Sequence, residues 1–103
     1  DHAYLQHAVT AITAARSRIA QIARDNGLAP VPSATNFVAI DCGSDGPFAV
    51  RVLEALGKQG VFVRKPAAPG LDQHIRISAA PGRELDVLSD ALPLALRQAH
   101  SAA

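Results

Sequence analysis

The stretch His74-Ile75-Arg76-Ile77-Ser78 decides how this chain folds, because its residues alternate between apolar and polar. A period of two indicates a β-strand with one face in a core, since successive side chains of a strand point to opposite faces. Ile75 and Ile77 are predicted to face the core, and the other three side chains are predicted to face away from it. A charged residue in the middle of such a strand is unusual, so Arg76 is the first candidate for a functional residue.

The residues that precede this strand along the chain predict a long first helix, a connector and a strand. Asn26 and Gly27 are the expected end of the helix. Residues 28–33 include two prolines, which favour a short extended connector, and residues 36–41 have the aromatic and β-branched content of a buried strand. The helical stripe consists of Leu5, Ala8, Ile12, Ala15, Ile19 and Ile22.

The middle of the chain predicts a second helix and another strand. Pro47 suits the first turn of this helix, Ser44 or Asp45 is its expected cap, and Gly60 is its expected end. Residues 61–64, which are mostly apolar and β-branched, are predicted to form a strand. The inner face of the helix is predicted to consist of Val50, Leu53 and either Leu56 or Gly57.

A leucine-rich helix is predicted to end the chain, with a kink or break at Pro93, whose ring removes the bond to the Ser89 carbonyl. The predicted order is therefore helix, strand, helix, strand, strand, helix. This order predicts an α+β fold, a two-layer sandwich of a three-stranded sheet and three helices. The stripe of the last helix consists of Leu85, Leu88, Leu92 and Leu96.

Length and composition limit the classes of protein to which this chain is expected to belong. Its 103 residues fit one domain, residues 1–103, with 49% hydrophobic and 18% charged residues and a net charge of +1. The basic residues are scattered, so nucleic acid is not an expected partner, and no apolar run reaches the roughly 20 residues of a membrane span. Cys42 is the single cysteine and no signal peptide is indicated, which favours a cytoplasmic location. Asp1 in place of Met suggests a piece of a longer protein.

The usual signatures of catalysis and metal binding are not found in the sequence. No serine has the setting of a nucleophile elbow, no glycines have phosphate-loop spacing, and the four histidines are far apart. No catalytic, cofactor-binding or metal-ligating residue is therefore predicted. Two interpretations of Arg76 stay open: a solvated side chain on an open face, or a guanidinium that binds a carboxylate through two hydrogen bonds. Arg64, at the end of the preceding predicted strand, has the same two interpretations.

Five features in a fixed order resemble a known family. They are Pro-Ser-Ala-Thr-Asn-Phe-Val at 32–38, Leu53 with Leu56, Gly-Val-Phe-Val-Arg at 60–64, His-Ile-Arg-Ile-Ser at 74–78, and the leucine-rich helix. Together they resemble the C-terminal, small domain of histidinol-phosphate aminotransferases, which are class I/II, fold-type I enzymes dependent on pyridoxal phosphate. The resemblance covers roughly residues 3–98, and threonine-phosphate decarboxylases share these landmarks.

The resemblance implies roles for two arginines. Arg76 would bind the α-carboxylate of the amino-acid substrate, and Arg64 would lie beside the substrate toward its phosphate end. Asn36 matches a landmark that is interpreted as structural. The turn Ala79-Ala80-Pro81 departs from the family's usual Val-Gly-Thr, which leaves the exact substrate open.

The resemblance also implies a parent enzyme of histidine biosynthesis. That enzyme would transfer an amino group between an amino-phosphate and a 2-oxo acid such as 2-oxoglutarate, and it would be a homodimer. The resemblance implies that pyridoxal phosphate is held by a lysine in the large domain of the same chain, and Lys58 and Lys65 match no cofactor-binding context. This fragment alone is expected to be non-catalytic and without cofactor. A stand-alone binding module without a catalytic parent is the alternative from another class.

Overall fold

The computed structural model describes residues 2–32, 37–66, 70–78 and 83–101 and shows one antiparallel sheet with helices packed on it. The strand order in the sheet is β1-β2-β3. The predicted α+β, two-layer fold is therefore confirmed. The elements are α1 (His2–Asp25), β1 (Ala29–Pro32), β2 (Phe37–Asp41), α2 (Gly46–Lys58), β3 (His74–Ser78) and α3 (Arg83–Ser101).

The set of strands differs from the prediction at β1. The stretch expected to be a connector pairs with β2, with Pro30 opposite Ile40 and Pro32 opposite Val38. Proline is tolerated there because β1 is at the edge of the sheet, where its missing N–H is not needed for a second partner strand. The same prolines leave this edge poor in donors for any further strand.

The strand predicted at residues 61–64 is the second difference. The N–H of Val61 donates to the Leu56 carbonyl at 2.9 Å, so it closes the end of α2 and is not available for a ladder. Phe62 is 86% exposed. Only Arg64 reaches the sheet, where it forms an isolated antiparallel bridge with Arg76.

The predicted helix ends are confirmed. Gly27 has a φ of +75° and the N–H of Leu28 donates to the Ala23 carbonyl, which closes α1. The Asp45 side chain accepts a 2.9 Å hydrogen bond from the Phe48 N–H at the start of α2, and Gly60, with a φ of +84°, follows its end.

The core lies between the sheet and the three helices. Ile75 and Ile77 of β3 are buried there, as the alternation predicted. The helical stripes are also confirmed for Ile19 and Ile22 of α1 and for Leu88 of α3. The largest fully buried side chains are Ile19, Ile40, Leu56, Ile75, Leu88, Leu92 and Val52.

The predicted inner face of α2 is correct for Leu56 but wrong for Val50, which is 40% exposed. The buried residues of this helix are Phe48, Ala49, Val52, Ala55 and Leu56. Phe48 buries more apolar area than a valine does, so its side chain sets the rotation of the helix against the core.

Helix α3 continues through Pro93, so of the predicted kink or break, the break is not observed. Because proline has no backbone N–H, the Ser89 carbonyl lacks the hydrogen bond that it would otherwise accept within the helix. Ser89 is exposed, so water is able to donate to this carbonyl instead. None of the helices in the described part of the chain is long and apolar enough to cross a membrane.

Leu92→Ala is expected to lower the free energy of unfolding by about 2–5 kcal/mol, because it leaves a cavity in a fully buried site. Leu94→Ala is the matched control, since Leu94 lies on the same helix and is 37% exposed; we expect a loss below about 1 kcal/mol. Urea denaturation of the two variants measures both values. Equal losses would show that the core does not lie on this side of α3.

Candidate functional site

The face of the sheet that points away from the core carries the candidate site. Pairing puts Ala39 opposite Arg76 and Phe37 opposite Ser78, so these four side chains share one face by the period of two. Ala39 is buried but does not belong to the core cluster that includes the helices. We call this side the Arg76 face; it consists of Phe37, Ala39, Asp41, Arg64, His74, Arg76 and Ser78.

The structure brings the two predicted site residues together. The Arg64 N–H donates to the Arg76 carbonyl at 3.1 Å, and the Arg76 N–H donates to the Arg64 carbonyl at 2.6 Å. Two residues that exchange both bonds are directly opposite in an antiparallel pair, and their side chains leave the sheet on the same side. Arg64 is exposed and Arg76 is partly exposed, so solutes can reach both guanidinium groups.

This arrangement is electrostatically unfavourable without an anion. Like charges directly opposite each other destabilise a strand pair, and arginine remains charged at any ordinary pH. Within the described ranges, neither Arg64 nor Arg76 forms an ion pair with a carboxylate. A bound carboxylate or phosphate would relieve the repulsion, and guanidinium donors match the geometry of both groups.

Phe37 contacts the guanidinium of Arg76. The Arg76 Cζ atom lies over the Phe37 ring, 4.4 Å from its centre, within the range of a cation–π interaction. No local sequence pattern marks Phe37 as a site residue. Its position at the start of β2 becomes informative only when the register between β2 and β3 is known.

A second polar group lies at the end of the Arg76 face, around Asp41. Its Oδ1 accepts hydrogen bonds from the Gln73 Nε2 at 2.6 Å and from the Gly43 N–H at 2.8 Å, and its Oδ2 lies 3.9 Å from the His74 Nε2. Burial alone would raise the pKa of Asp41, but the bonds from Gly43 and Gln73 and the nearby His74 together lower it. These contacts stabilise the ionised carboxylate and join the ends of β2 and β3.

The described lysines do not fit a cofactor site. The Lys65 amine donates to the carbonyls of Asp72 and His74, so its donors are directed to the backbone. Lys58 is an exposed residue in the last turn of α2. The buried thiol of Cys42 has its pKa raised to about 11 by burial, despite the opposing charge of Lys65, and is therefore neutral near pH 7. Nor do the described histidine, cysteine and acidic residues form a group that suits a metal ion.

Two sequence landmarks lie outside the described residues: Asn36 and the turn at residues 79–81. Of the residues that the sequence singled out, the structure therefore describes Arg64, Arg76 and the residues that surround them.

Comparison with known proteins identifies the kind of enzyme that contains such a domain. The chain is 37% identical over 92 residues to histidinol-phosphate aminotransferase 2 of Methylococcus capsulatus, covering 89% of the chain and 24% of that protein. It is 37% identical over its whole length to histidinol-phosphate aminotransferase 2 of Ralstonia nicotianae, covering 28% of that protein. No protein-family model matches the chain.

A solved structure agrees with these relatives. The histidinol-phosphate aminotransferase of Sinorhizobium meliloti, solved in complex with pyridoxal-5'-phosphate, superimposes on the whole chain with a TM-score of 0.89 and 46% identity, and the chain covers 28% of it. The fold is thus that of the small-domain region of an aminotransferase. More particularly, the chain is related to one part of the histidinol-phosphate aminotransferases and spans about a quarter of their length.

Gln73→Leu is expected to raise the pKa of Asp41, because it removes the 2.6 Å hydrogen bond to the carboxylate. Since the folded pKa of Asp41 is lowered, its contribution to stability is present above the usual carboxyl range and is lost as the pH falls through the folded pKa. The variant should be less stable than the original chain near pH 7, and the difference should shrink below about pH 4.

Carboxyl titration by NMR and urea denaturation at several pH values measure both effects. Gln98→Leu, an exposed glutamine on α3, is the control and should leave the pKa of Asp41 unchanged. An Asp41 pKa that does not move in Gln73→Leu would contradict this assignment.

Proposed function

We propose that this chain is the C-terminal, substrate-binding domain of a longer pyridoxal-phosphate-dependent aminotransferase of the histidinol-phosphate type. The parent enzyme transfers an amino group between an amino-phosphate and a 2-oxo acid such as 2-oxoglutarate. Arg76 binds the α-carboxylate of the amino-acid or 2-oxo-acid substrate, and Arg64 lies toward the phosphate of the amino-phosphate.

The observation that carries this proposal is the direct opposition of Arg64 and Arg76 on one face of the sheet. Both side chains leave the sheet on the same side, and no described carboxylate neutralises either of them. A substrate with an anionic end therefore gains hydrogen bonds and also removes a repulsion.

The role of this domain in the reaction is to orient substrate. Two hydrogen bonds from one planar guanidinium fix both the position and the plane of a carboxylate, which brings the reacting end of the substrate into a defined place. Pyridoxal phosphate, when bound, supplies the electron sink for the chemistry. In this proposal the cofactor's lysine and its phosphate-binding groups belong to the large domain of the same chain, while Lys58 ends α2 and Lys65 donates to a backbone carbonyl.

The assembled enzyme is a cytoplasmic homodimer in this proposal. A threonine-phosphate decarboxylase-like enzyme would use the same arginines, but the names of the relatives favour amino transfer. Product analysis with the full-length protein distinguishes the two reactions, because only decarboxylation releases carbon dioxide. A stand-alone binding module would instead require a natural gene without an upstream large domain.

In the full-length protein, Arg76→Ala is expected to lower kcat/KM for the carboxylate-bearing substrate about 10- to 150-fold. This range corresponds to the loss of charge-assisted hydrogen bonds worth about 1.5–3 kcal/mol. Arg76→Lys keeps the charge but loses the two-bond geometry, so it should also raise KM, by a smaller factor. Arg64→Ala should chiefly raise KM for the phosphate-bearing substrate. Steady-state kinetics with each substrate varied in turn separates these effects.

Arg18→Ala is the matched control, because Arg18 is an exposed arginine on α1 that forms an ion pair with Asp86. It should leave KM for both substrates within about twofold, as expected for a surface ion pair. Unchanged affinity for amino acid and 2-oxo acid in both Arg76 variants would refute carboxylate binding by this residue.

A further inference from the structure

The contact between Phe37 and Arg76 has a geometry suited to orienting the guanidinium. The Arg76 Cζ atom lies 4.4 Å from the centre of the Phe37 ring. Phe37 begins β2 opposite Ser78, and Arg76 is opposite Ala39, so the aromatic ring reaches the arginine from the diagonal position on the same face. Phe37 is partly buried, and its ring meets the arginine.

The neighbours of Arg76 on the sheet offer little else to hold its side chain. On one side is Ala39, which has a single methyl group, and on the other side is Arg64, which repels it. Among the residues that the structure describes, no carboxylate pairs with Arg76. The face of the Phe37 ring is therefore the attractive side-chain contact that the structure gives to this guanidinium.

This contact leaves the donors of Arg76 available. The five N–H groups of a guanidinium lie in its plane and point outward from its edge, whereas the ring attracts the positive charge through the aromatic face. An arginine side chain has much conformational freedom, which it loses when it binds a ligand. Ordering it beforehand reduces this loss and strengthens binding.

We propose that Phe37 is a positioning residue that holds the Arg76 guanidinium in the orientation in which it receives the substrate carboxylate. The inference rests on the proposed function of Arg76 as the carboxylate-binding residue. It adds a residue on a different strand, β2, which acts only through the arginine and does not touch the substrate.

The test uses steady-state kinetics of the full-length enzyme with cofactor. Phe37→Leu keeps an apolar side chain but removes the aromatic face, and it should raise KM for the amino acid and the 2-oxo acid about three- to tenfold, the range expected for one cation–π contact. The kcat at saturating substrate should stay within about twofold, because the contact acts before the chemical step. Phe37→Tyr keeps the ring and should restore a KM near that of the unchanged enzyme.

A fluorinated phenylalanine at position 37 provides a second variant that keeps the shape of the ring. Fluorine withdraws negative charge from the aromatic face, so KM should rise as it does in Phe37→Leu, although packing is preserved. Phe48→Leu is the matched control, since the Phe48 ring contacts Arg51, whose Cζ lies 5.6 Å from its centre, on the core side of the sheet. It should lower Tm without raising KM.

Combining the variants decides whether Phe37 acts through Arg76. In the Arg76→Ala background, Phe37→Leu should have no further effect on KM. An equal rise in KM in both backgrounds, an unchanged KM in Phe37→Leu, or an unchanged KM with the fluorinated ring would overturn the inference. If Arg76→Ala itself leaves KM unchanged, the proposed function fails and the inference fails with it. If only the Phe37 variants are unaffected, the proposed function stands and the inference alone is wrong.

Discussion

The register of β3 against β2 is the constraint on which the rest of this structure depends. Ile75 and Ile77 pair with Ile40 and Val38 and fill the core under the helices. Because side chains alternate, this burial forces Arg76 to the opposite face. A slip by one residue would place the arginine in the core and both isoleucines in solvent, so hydrophobic burial and the cost of burying a charge favour the same register.

Backbone pairing then determines the geometry of the site. Arg76 has two strand-like neighbours, Ala39 on one side and Arg64 on the other, and the bridge to Arg64 carries both backbone hydrogen bonds. The segment before Arg64 does not form a longer strand, because Val61 is used to close α2. A single bridge thus places a second cation beside the first one, an arrangement whose cost is offset when an anion binds. In the proposed function, the domain supplies the charges that orient the substrate, and the rest of the parent enzyme supplies the cofactor.

Much of the fold could be predicted from the sequence, because apolar residues recur with the period of a strand or a helix. The alternation in β3, the stripe of α3, the burial of Ile19 and Ile22 in α1, and the Asp45 and glycine signals at the helix ends depend on neighbours in sequence, so they were predicted correctly. The edge strand β1 was missed because its prolines argue against a strand unless its place at the edge is known. The strand at residues 61–64 was wrongly predicted because β-branched composition does not reveal that Val61 bonds to a helix end. The opposition of Arg64 to Arg76, the Phe37 contact and the Asp41 group all depend on pairing between distant segments, which no local pattern specifies.

The central claim is that Arg76 receives a substrate carboxylate on the face of the sheet opposite the core. A crystal structure of the full-length protein with 2-oxoglutarate bound tests it most directly. The account predicts that both oxygens of one carboxylate lie about 2.7–2.9 Å from guanidinium nitrogens of Arg76. A structure in which the 2-oxo acid binds elsewhere, with Arg76 in solvent or paired with a carboxylate of the protein, would contradict it.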